Sequence, residues 1–194
     1  MKIVIINYGA GNIQSIKFAI QRLGYEAVLS DDPEVIKNAD KVIFPGVGEA
    51  SSAMKKLKAS GLDTLVPQLK QPVLGICLGM QLMCNHTEEG DTRGLGIFDV
   101  DVIRFNHGVK VPQIGWNTIE NLKSPLLEGV QEKEFIYLVH SYYAKITGDT
   151  IATSTYGLEY STALQKENFY GTQFHPEKSS ITGARILENF IHLK

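Results

Sequence analysis

Residues 73–79 read Val-Leu-Gly-Ile-Cys-Leu-Gly, a short stretch that joins a predicted buried strand to a predicted helix. Residues 73–76 are an apolar run typical of a buried strand, and a helical pattern follows. Cys77 therefore lies in a tight strand-to-helix turn, where the small residues Gly75 and Gly79 leave room for the backbone. This is the pattern of a nucleophile elbow with cysteine in place of serine. It predicts a sulfur at the carboxyl end of a sheet, pointing to solvent beside a helix N-terminus that favours the thiolate.

The same alternation of strand and helix extends over the first half of the chain. Buried strands are predicted at residues 3–6, 26–29, 41–44 and 73–76. Helical spacing is found at residues 13–23, around residues 54–57, and at residues 78–84. Short strands separated by helices indicate parallel pairing through right-handed crossovers. We therefore expect an α/β fold whose central, mainly parallel sheet is covered by helices on both faces.

The second half has a different pattern, with short strands joined by turns and a helix only at its end. Strands are predicted at residues 100–105, 118–120, 135–140, 151–154, 162–165 and 170–174, and the final helix at 184–191. This pattern favours an antiparallel section added to the central, mainly parallel sheet. Since no repeat, low-complexity segment or linker interrupts the sequence, we expect one domain over residues 1–194.

The composition argues against several classes of protein. Apolar residues make up 43% of the chain, and 19 basic against 21 acidic side chains give a net charge of -2. Neither disorder nor binding to nucleic acid through phosphate neutralisation fits this balance. The longest apolar runs are about four or five residues, short of the roughly 20 that a membrane span needs. The first residues form a strand-like run, so we expect neither a signal peptide nor a membrane protein.

The cysteine content indicates a reducing compartment. The chain has two cysteines, Cys77 and Cys84, which are too few for a disulfide framework. Seven residues along one helix separate them by roughly 10 Å, more than the Cα distance of about 7 Å that a disulfide tolerates. No cysteine or histidine close by completes a zinc site. We therefore expect a cytoplasmic protein with two free thiols and neither a metal nor another cofactor.

A nucleophilic cysteine needs a base, and the base needs a group that orients it. The chain has five histidines, His86, His107, His140, His175 and His192. His175 follows a predicted strand, and Pro176 is expected to end that strand because it cannot donate to a ladder. Glu177 stands two residues beyond His175, so an extended backbone would place both side chains on one side. This spacing predicts a triad of Cys77, His175 and Glu177.

Taken together, these motifs resemble the class I, or triad, glutamine amidotransferases, a family with a flavodoxin-like α/β fold. The elbow and the His-Pro-Glu segment are shared by the whole family. Further segments, spread along the chain, resemble more narrowly the glutaminase subunits of imidazole glycerol phosphate synthases from histidine biosynthesis. These segments are Asn-Tyr-Gly-Ala-Gly-Asn at residues 7–12, Pro-Gly-Val-Gly at 45–48, Pro-Gln-Ile-Gly-Trp-Asn at 112–117, Val-His-Ser-Tyr-Tyr at 139–143, and residues 171–179.

The resemblance implies a role for each matching residue. Cys77 would attack the side-chain amide of L-glutamine. His175 would take the thiol proton and then protonate the departing ammonia, and Glu177 would orient His175. The residues implied to hold the oxyanion are Val47, Gly48 and Leu78. Those implied to hold glutamine are Gly46, Gln81, Glu89, His140, Ser141 and Tyr142. Those implied to face a partner subunit are Asn12, Trp116, Asn117 and Lys178.

The resemblance also implies an activity and a partner. Such a glutaminase subunit hydrolyses glutamine through a cysteine thioester and passes ammonia to a cyclase subunit, a (β/α)8 barrel, within a heterodimer. The cyclase converts the phosphoribulosyl-formimino derivative of an aminoimidazole carboxamide nucleotide to imidazole glycerol phosphate. Three alternatives remain open from the sequence: a related subunit that feeds a sugar-amidating synthase, a catalytically silent interaction domain, and a cysteine peptidase on the same scaffold.

Overall fold

The main sheet is built around parallel strands from the first half of the chain. The computed structural model describes residues 1–9, 11–106 and 108–194; Ala10 of the 7–12 segment and His107, one of the five histidines, lie outside the described residues. Its strands are β1 (Ile3–Ile6), β2 (Ala27–Ser30), β3 (Lys41–Gly46), β4 (Val73–Cys77), β5 (His86–Thr87), β6 (Thr92–Arg93), β7 (Asp101–Arg104), β8 (Gln113–Thr118), β9 (Phe135–His140), β10 (Tyr142–Ala144), β11 (Thr150–Tyr156), β12 (Leu158–Lys166) and β13 (Phe169–Thr172). Its helices are α1 (Ile13–Arg22), α2 (Pro33–Lys37), α3 (Ala50–Ala59), α4 (Leu62–Leu65), α5 (Leu78–Leu82) and α6 (Ser180–His192). Single turns of 3-10 helix occupy Val66–Gln68, Pro125–Leu127 and Pro176–Lys178.

The strand order places the predicted elbow near the middle of the sheet. That order is β2-β1-β3-β4-β13-β12-β10-β7-β5-β6, with β11 paired to β12. Strands β2, β1, β3, β4 and β13 pair in parallel. The pairs β13–β12, β12–β10 and β10–β7 are antiparallel, and β8 and β9 form a separate antiparallel ribbon. The expected mainly parallel sheet with an added antiparallel section is confirmed.

Alternate residues of the parallel strands enter two cores, one on each face of the sheet. On β1, Val4 and Ile6 belong to the core that contains Leu57 of α3. Ile3 and Ile5 belong to the core that contains residues of α1 and α6. Because successive side chains of a strand point to opposite faces, this apolar run needs helices on both sides. The carboxyl ends of β3, β4 and β13 are thereby held together at one edge.

One strand prediction is wrong, and the short helices α2 and α4 were not predicted. The sequence predicts a strand at residues 118–120, but β8 covers Gln113–Thr118, and Glu120 makes only an isolated bridge to Thr153. The apolar pattern of β8 is weak because the strand includes Gly115 and only one of its six residues is buried. Helix α2 is only five residues long, and its start is fixed by Asp32, which accepts backbone N–H groups.

Two features are absent from the described parts of the chain. Over residues 1–9, 11–106 and 108–194, no helix has the length and apolar character needed to cross a membrane. Nor does that part of the chain bring together three or more His, Cys, Asp or Glu side chains that could hold a metal ion. Cys77 and Cys84 are both free and buried.

Candidate active site

Cys77 is the last residue of β4, directly before α5, and has a backbone φ of 54°. A positive φ is unusual for a residue other than glycine and marks local strain. The flanking glycines are required by close contacts. A Cβ at Gly79 would lie 2.0 Å from the Phe44 carbonyl oxygen, and one at Gly75 would lie 2.6 Å from the Met83 sulfur. The elbow predicted from the sequence is therefore present, and it fixes the cysteine at the carboxyl end of the sheet.

His175 and Glu177 form a buried, hydrogen-bonded pair. His175 Nδ1 lies 2.8 Å from Glu177 Oε1, and the two side chains are 6% and 0% exposed. The carboxylate can only accept, so Nδ1 donates and Nε2 is left to take a proton. Burial lowers the pKa of His175, but contacts with Cys77 and Glu177 outweigh burial and raise the pKa above its ordinary value. The site therefore favours transfer of the thiol proton to the imidazole.

The chain reaches this pair by a different backbone from the one predicted. Strand β13 ends at Thr172, and Pro176–Lys178 forms a 3-10 turn instead of continuing in an extended conformation. The turn is closed by a 3.0 Å hydrogen bond from the Lys178 N–H to the His175 carbonyl. It folds Glu177 back against the imidazole. The predicted pairing of His175 with Glu177 is present, but the reason given for it from an extended strand is wrong.

A cavity of about 360 Å³ opens beside Cys77. Its size lies within the range of small-ligand sites. The sequence-implied residues that line it are Val47, Gly48, Cys77, Leu78, Gln81, Glu89, His140, Ser141, Tyr142 and His175. Pro112, Val139 and Lys178 also line it. Of the other implied residues, Glu177 is buried behind His175, and Gly46 is buried against the elbow.

Glu89, rather than its neighbour Glu88, faces the cavity. Its Oε2 accepts the N–H of Ala50 at 2.9 Å, at the start of α3. Glu88 instead accepts the N–H of Arg104 at 2.7 Å. Burial raises the pKa of Glu89; the Ala50 bond opposes this rise and the charge of Glu49 adds to it. Glu89 is thus a partly desolvated carboxylate in the cavity wall, a suitable partner for a cationic group of a ligand.

Gln173 joins the site, although the sequence pattern did not single it out. Its Oε1 accepts from Gln81 Nε2 at 2.9 Å, and its Nε2 lies 3.8 Å from the Cys77 sulfur as a donor. Gln81 Nε2 also donates to the Tyr142 carbonyl at 3.1 Å. A continuous hydrogen-bonded path therefore runs from Gln81 in the cavity wall through Gln173 to the Cys77 sulfur. The signal available in the sequence was alternation, since Gln173 stands two residues before His175.

His140 contributes a neutral ring to the cavity. Its Nδ1 lies 2.8 Å from the Tyr142 carbonyl, so this nitrogen donates and Nε2 accepts. The hydroxyl of Tyr160 lies 3.4 Å from Nε2 and 3.0 Å from Gln113 Oε1, to which it donates. Burial lowers the pKa of His140 to about 4. At neutral pH this wall therefore offers backbone groups and an uncharged imidazole to a ligand.

The turn at residues 45–48 has one fixed end and one open end. At the fixed end, a Cβ on Gly46 would lie 2.5 Å from the Gly79 nitrogen, so the end of β3 packs directly against the elbow. At the open end, Gly48 has φ +94° with open space around it, and Val47 is 40% exposed. Glycine at Gly48 is required by the backbone angle and not by crowding. The inner end of this turn is therefore closely packed, while its outer end is not.

The residues implied to face a partner lie in two places. Trp116 on β8 is 54% exposed, with its ring 5.7 Å from that of Tyr137. Lys178 Nζ lies 6.0 Å from the same Tyr137 ring, and Lys178 also lines the cavity. Asn117 donates to a carbonyl of β11. Asn12 is the N-cap of α1 and makes no side-chain capping bond.

The family model for class-I glutamine amidotransferases matches residues 4–193. The chain belongs to this family. Imidazole glycerol phosphate synthase subunit HisH of Bacteroides thetaiotaomicron is 56% identical to this amidotransferase, over 100% of each chain. The subunit of the same name from Vibrio vulnificus is 44% identical, over 99% of this chain and 98% of that relative. The enzyme class expected from the elbow and the triad is confirmed.

Solved structures confirm the fold of this amidotransferase. The structure of PurLQS from Thermotoga maritima has a TM-score of 0.76 at 16% identity, covering 98% of this chain and 97% of that chain. A structure described as a glutamine amidotransferase has a TM-score of 0.76 at 19% identity, covering 97% and 96%. At such low identity these similarities establish the fold class alone.

Proposed function

We propose that this amidotransferase is the glutaminase subunit of an imidazole glycerol phosphate synthase and supplies ammonia to a cyclase subunit in histidine biosynthesis. The observation that carries the proposal is the buried pairing of His175 with Glu177 beside Cys77, at 2.8 Å, in an amino-acid-sized cavity. The 56% identity to a HisH subunit over the full chain supports the choice of pathway.

The proposed chemistry follows from the triad. Cys77 gives its proton to His175 Nε2 and the thiolate attacks the amide carbon of the glutamine side chain. The tetrahedral oxyanion is held by the N–H groups of Leu78 and Val47, and it collapses to a thioester as His175 protonates the departing ammonia. Water then gives a proton to His175 and attacks the thioester, which releases glutamate and regenerates the thiol. Glu177 keeps the imidazole in one tautomer throughout.

The cavity wall provides groups for both ends of the amino acid. The carboxylate of Glu89 is the proposed partner of the glutamine α-ammonium group. The α-carboxylate is proposed to bind at residues 140–142, through backbone groups of Ser141 and Tyr142, because His140 is neutral near pH 7. Gln81 is proposed to orient the side chain of the substrate beside Cys77. Gly46 then acts indirectly, by holding the turn against the elbow.

A partner subunit is proposed to cover the exposed ribbon face. Ile114, Trp116 and Phe135 are 63%, 54% and 61% exposed, and the register of β8 with β9 places them on one face. Ammonia released into water would be protonated and lose its nucleophilicity, so efficient transfer needs a docked acceptor. We propose that this acceptor is a (β/α)8-barrel cyclase, bound in a cytoplasmic heterodimer through Asn12, Trp116 and Lys178. Asn117 lies on the opposite face of the ribbon and supports this face through its hydrogen bond to β11.

The test is purification of the chain from native lysate, followed by a coupled assay with the copurified partner. The proposal predicts that the partner is the cyclase and that the complex forms imidazole glycerol phosphate from the nucleotide substrate and glutamine. Recovery of a sugar-amidating synthase would move the acceptor to that pathway. Absence of ammonia release from free glutamine in any complex would leave a silent domain, and cleavage of peptides instead would indicate a peptidase.

A further inference from the structure

We propose that Tyr8 is a positioning residue for glutamine hydrolysis, which fixes the inner end of the turn at residues 45–48 so that only its outer peptides rotate. The inference rests on the proposed glutaminase function. Tyr8 is not part of the triad, the cavity lining or the residues implied to face a partner. It follows β1 and lies next to the carboxyl end of β3.

The contact is a buried hydrogen bond between the segment after β1 and the end of β3, which are distant in sequence. The Tyr8 hydroxyl donates to the Pro45 carbonyl at 2.8 Å, and Tyr8 is only 5% exposed. Its ring lies against Phe44, with centroids 5.5 Å apart. Burial raises the pKa of Tyr8, and the nearby Cys77 raises it further, so the hydroxyl stays protonated and remains a donor. A buried acceptor that lost this donor would be left unsatisfied.

The Pro45 carbonyl lies one residue before the turn departs from the sheet. Pro45 pairs with Ile76 and Gly46 pairs with Cys77, so the β3–β4 register continues as far as the nucleophile itself. Beyond Gly46 the chain leaves the ladder, and Gly48 adopts a positive φ in open space. The hydrogen bond from Tyr8 therefore fixes the peptide that precedes the outer part of the turn. Without it, the N–H of Val47 would point at the oxyanion for a smaller fraction of the time.

Two further contacts tie the segment containing Tyr8 to the same region. A Cβ on Gly11, which has φ +130°, would lie 3.0 Å from the Pro45 ring, so this glycine packs directly on the proline. Lys56 Nζ, from α3, donates to the Gly9 carbonyl at 2.9 Å. Asn12 follows at the start of α1. A displacement of the N-terminus of α1 would therefore be transmitted to Pro45 through its contact with Gly11.

The test compares Tyr8→Phe with Tyr156→Phe in the complete complex. Tyr156 is a matched control because its hydroxyl also donates to a backbone carbonyl, that of Lys110, at 2.8 Å. Tyr8→Phe should lower kcat for glutamine hydrolysis in the activated complex by about five- to tenfold, as expected for one lost hydrogen bond, with KM changed less than twofold. Ammonia-dependent synthesis and alkylation of Cys77 by iodoacetamide should stay as in the wild type. Tyr156→Phe should match the wild type in all four readouts.

A second variant, Lys56→Met, removes a surface contact to the same segment and should lower kcat in the same direction but by less. Two results would overturn the inference: a Tyr8→Phe kcat equal to that of the wild type, or a loss shared equally by ammonia-dependent synthesis, which would indicate a purely structural role. Failure of the wild-type complex to hydrolyse glutamine would instead refute the proposed function, so the two failures are distinguishable.

Discussion

The two sides of the active-site cavity are built in opposite ways. On the nucleophile side, Cys77 is fixed by crowded glycines, and His175 is hydrogen-bonded to a fully buried Glu177. On the oxyanion side, the turn at residues 45–48 is exposed at Val47 and uncrowded at Gly48. The first side is determined by many simultaneous contacts, whereas the second is held mainly at its inner end.

If the proposed mechanism holds, the difference places the control of activity in the turn. A triad buried in this way has one arrangement, so it is ready before any partner binds. A glycine-containing turn has more than one arrangement of similar energy, and a partner can shift the populations by a few kcal/mol. Control of the turn would restrain glutamine hydrolysis while no acceptor is present. The predictions below test each side in turn.

The largest effect is expected from removing the nucleophile. Cys77→Ala should abolish glutamine-dependent turnover of the complex, with a loss on the order of 10⁶, and leave ammonia-dependent synthesis intact. The control is Cys84→Ala, since Cys84 is fully buried and burial raises its pKa, which keeps it protonated. Steady-state assays with glutamine and with ammonium check this. An adduct of a glutamine-analogue electrophile on Cys84 would contradict the assignment.

The next effect concerns the orienting carboxylate. Glu177→Gln keeps the shape of the side chain but removes the charge that stabilises the imidazolium, so kcat should fall by about 10³–10⁴. His175→Ala should cost at least as much. Glu188→Gln, on the exposed surface of α6, is the control and should behave as the wild type. Near wild-type turnover of Glu177→Gln would mean that another carboxylate orients His175.

Two glycine substitutions compare the two sides directly. Gly79→Ala would place a Cβ 2.0 Å from a backbone oxygen of β3, so its free energy of unfolding should fall by about 3 kcal/mol or more. Gly48→Ala meets no neighbouring atom and only strains the positive φ, which should cost about 1 kcal/mol. Denaturant unfolding measures both. Equal destabilisation would show that the turn is as tightly packed as the elbow.

The last prediction is a pH dependence of stability. The pKa of His140 is about 4 in the folded chain, against an ordinary value of 6.5. Between pH 4 and 6.5 the unfolded chain therefore binds a proton that the folded chain does not bind. Stability should therefore fall as the pH drops from 6.5 towards 4, with a contribution of about 3 kcal/mol from this residue. His140→Asn should flatten this acid limb, and His192→Asn should not. An unchanged limb in His140→Asn would mean that the imidazole is accessible to solvent.

The fold and the triad could be predicted because their signals are local. The elbow strand is a continuous apolar run with glycines at fixed places, and β4 extends only one residue beyond the prediction. Strand β8 could not be placed from the sequence, since its alternation is interrupted by Gly115 and only one of its six residues is buried. The contacts of Tyr8 with Pro45 and of Gln173 with Cys77 join residues 37 and 96 positions apart, and no local pattern specifies them.

The most direct test of the account is the kcat for ammonia release from glutamine, measured for the chain alone and for the complex saturated with the acceptor nucleotide. If the triad is preformed and the turn supplies one oxyanion donor only after activation, kcat should rise by about 10²–10³ while KM changes little. Equal kcat values in the two states would contradict control through the turn at residues 45–48.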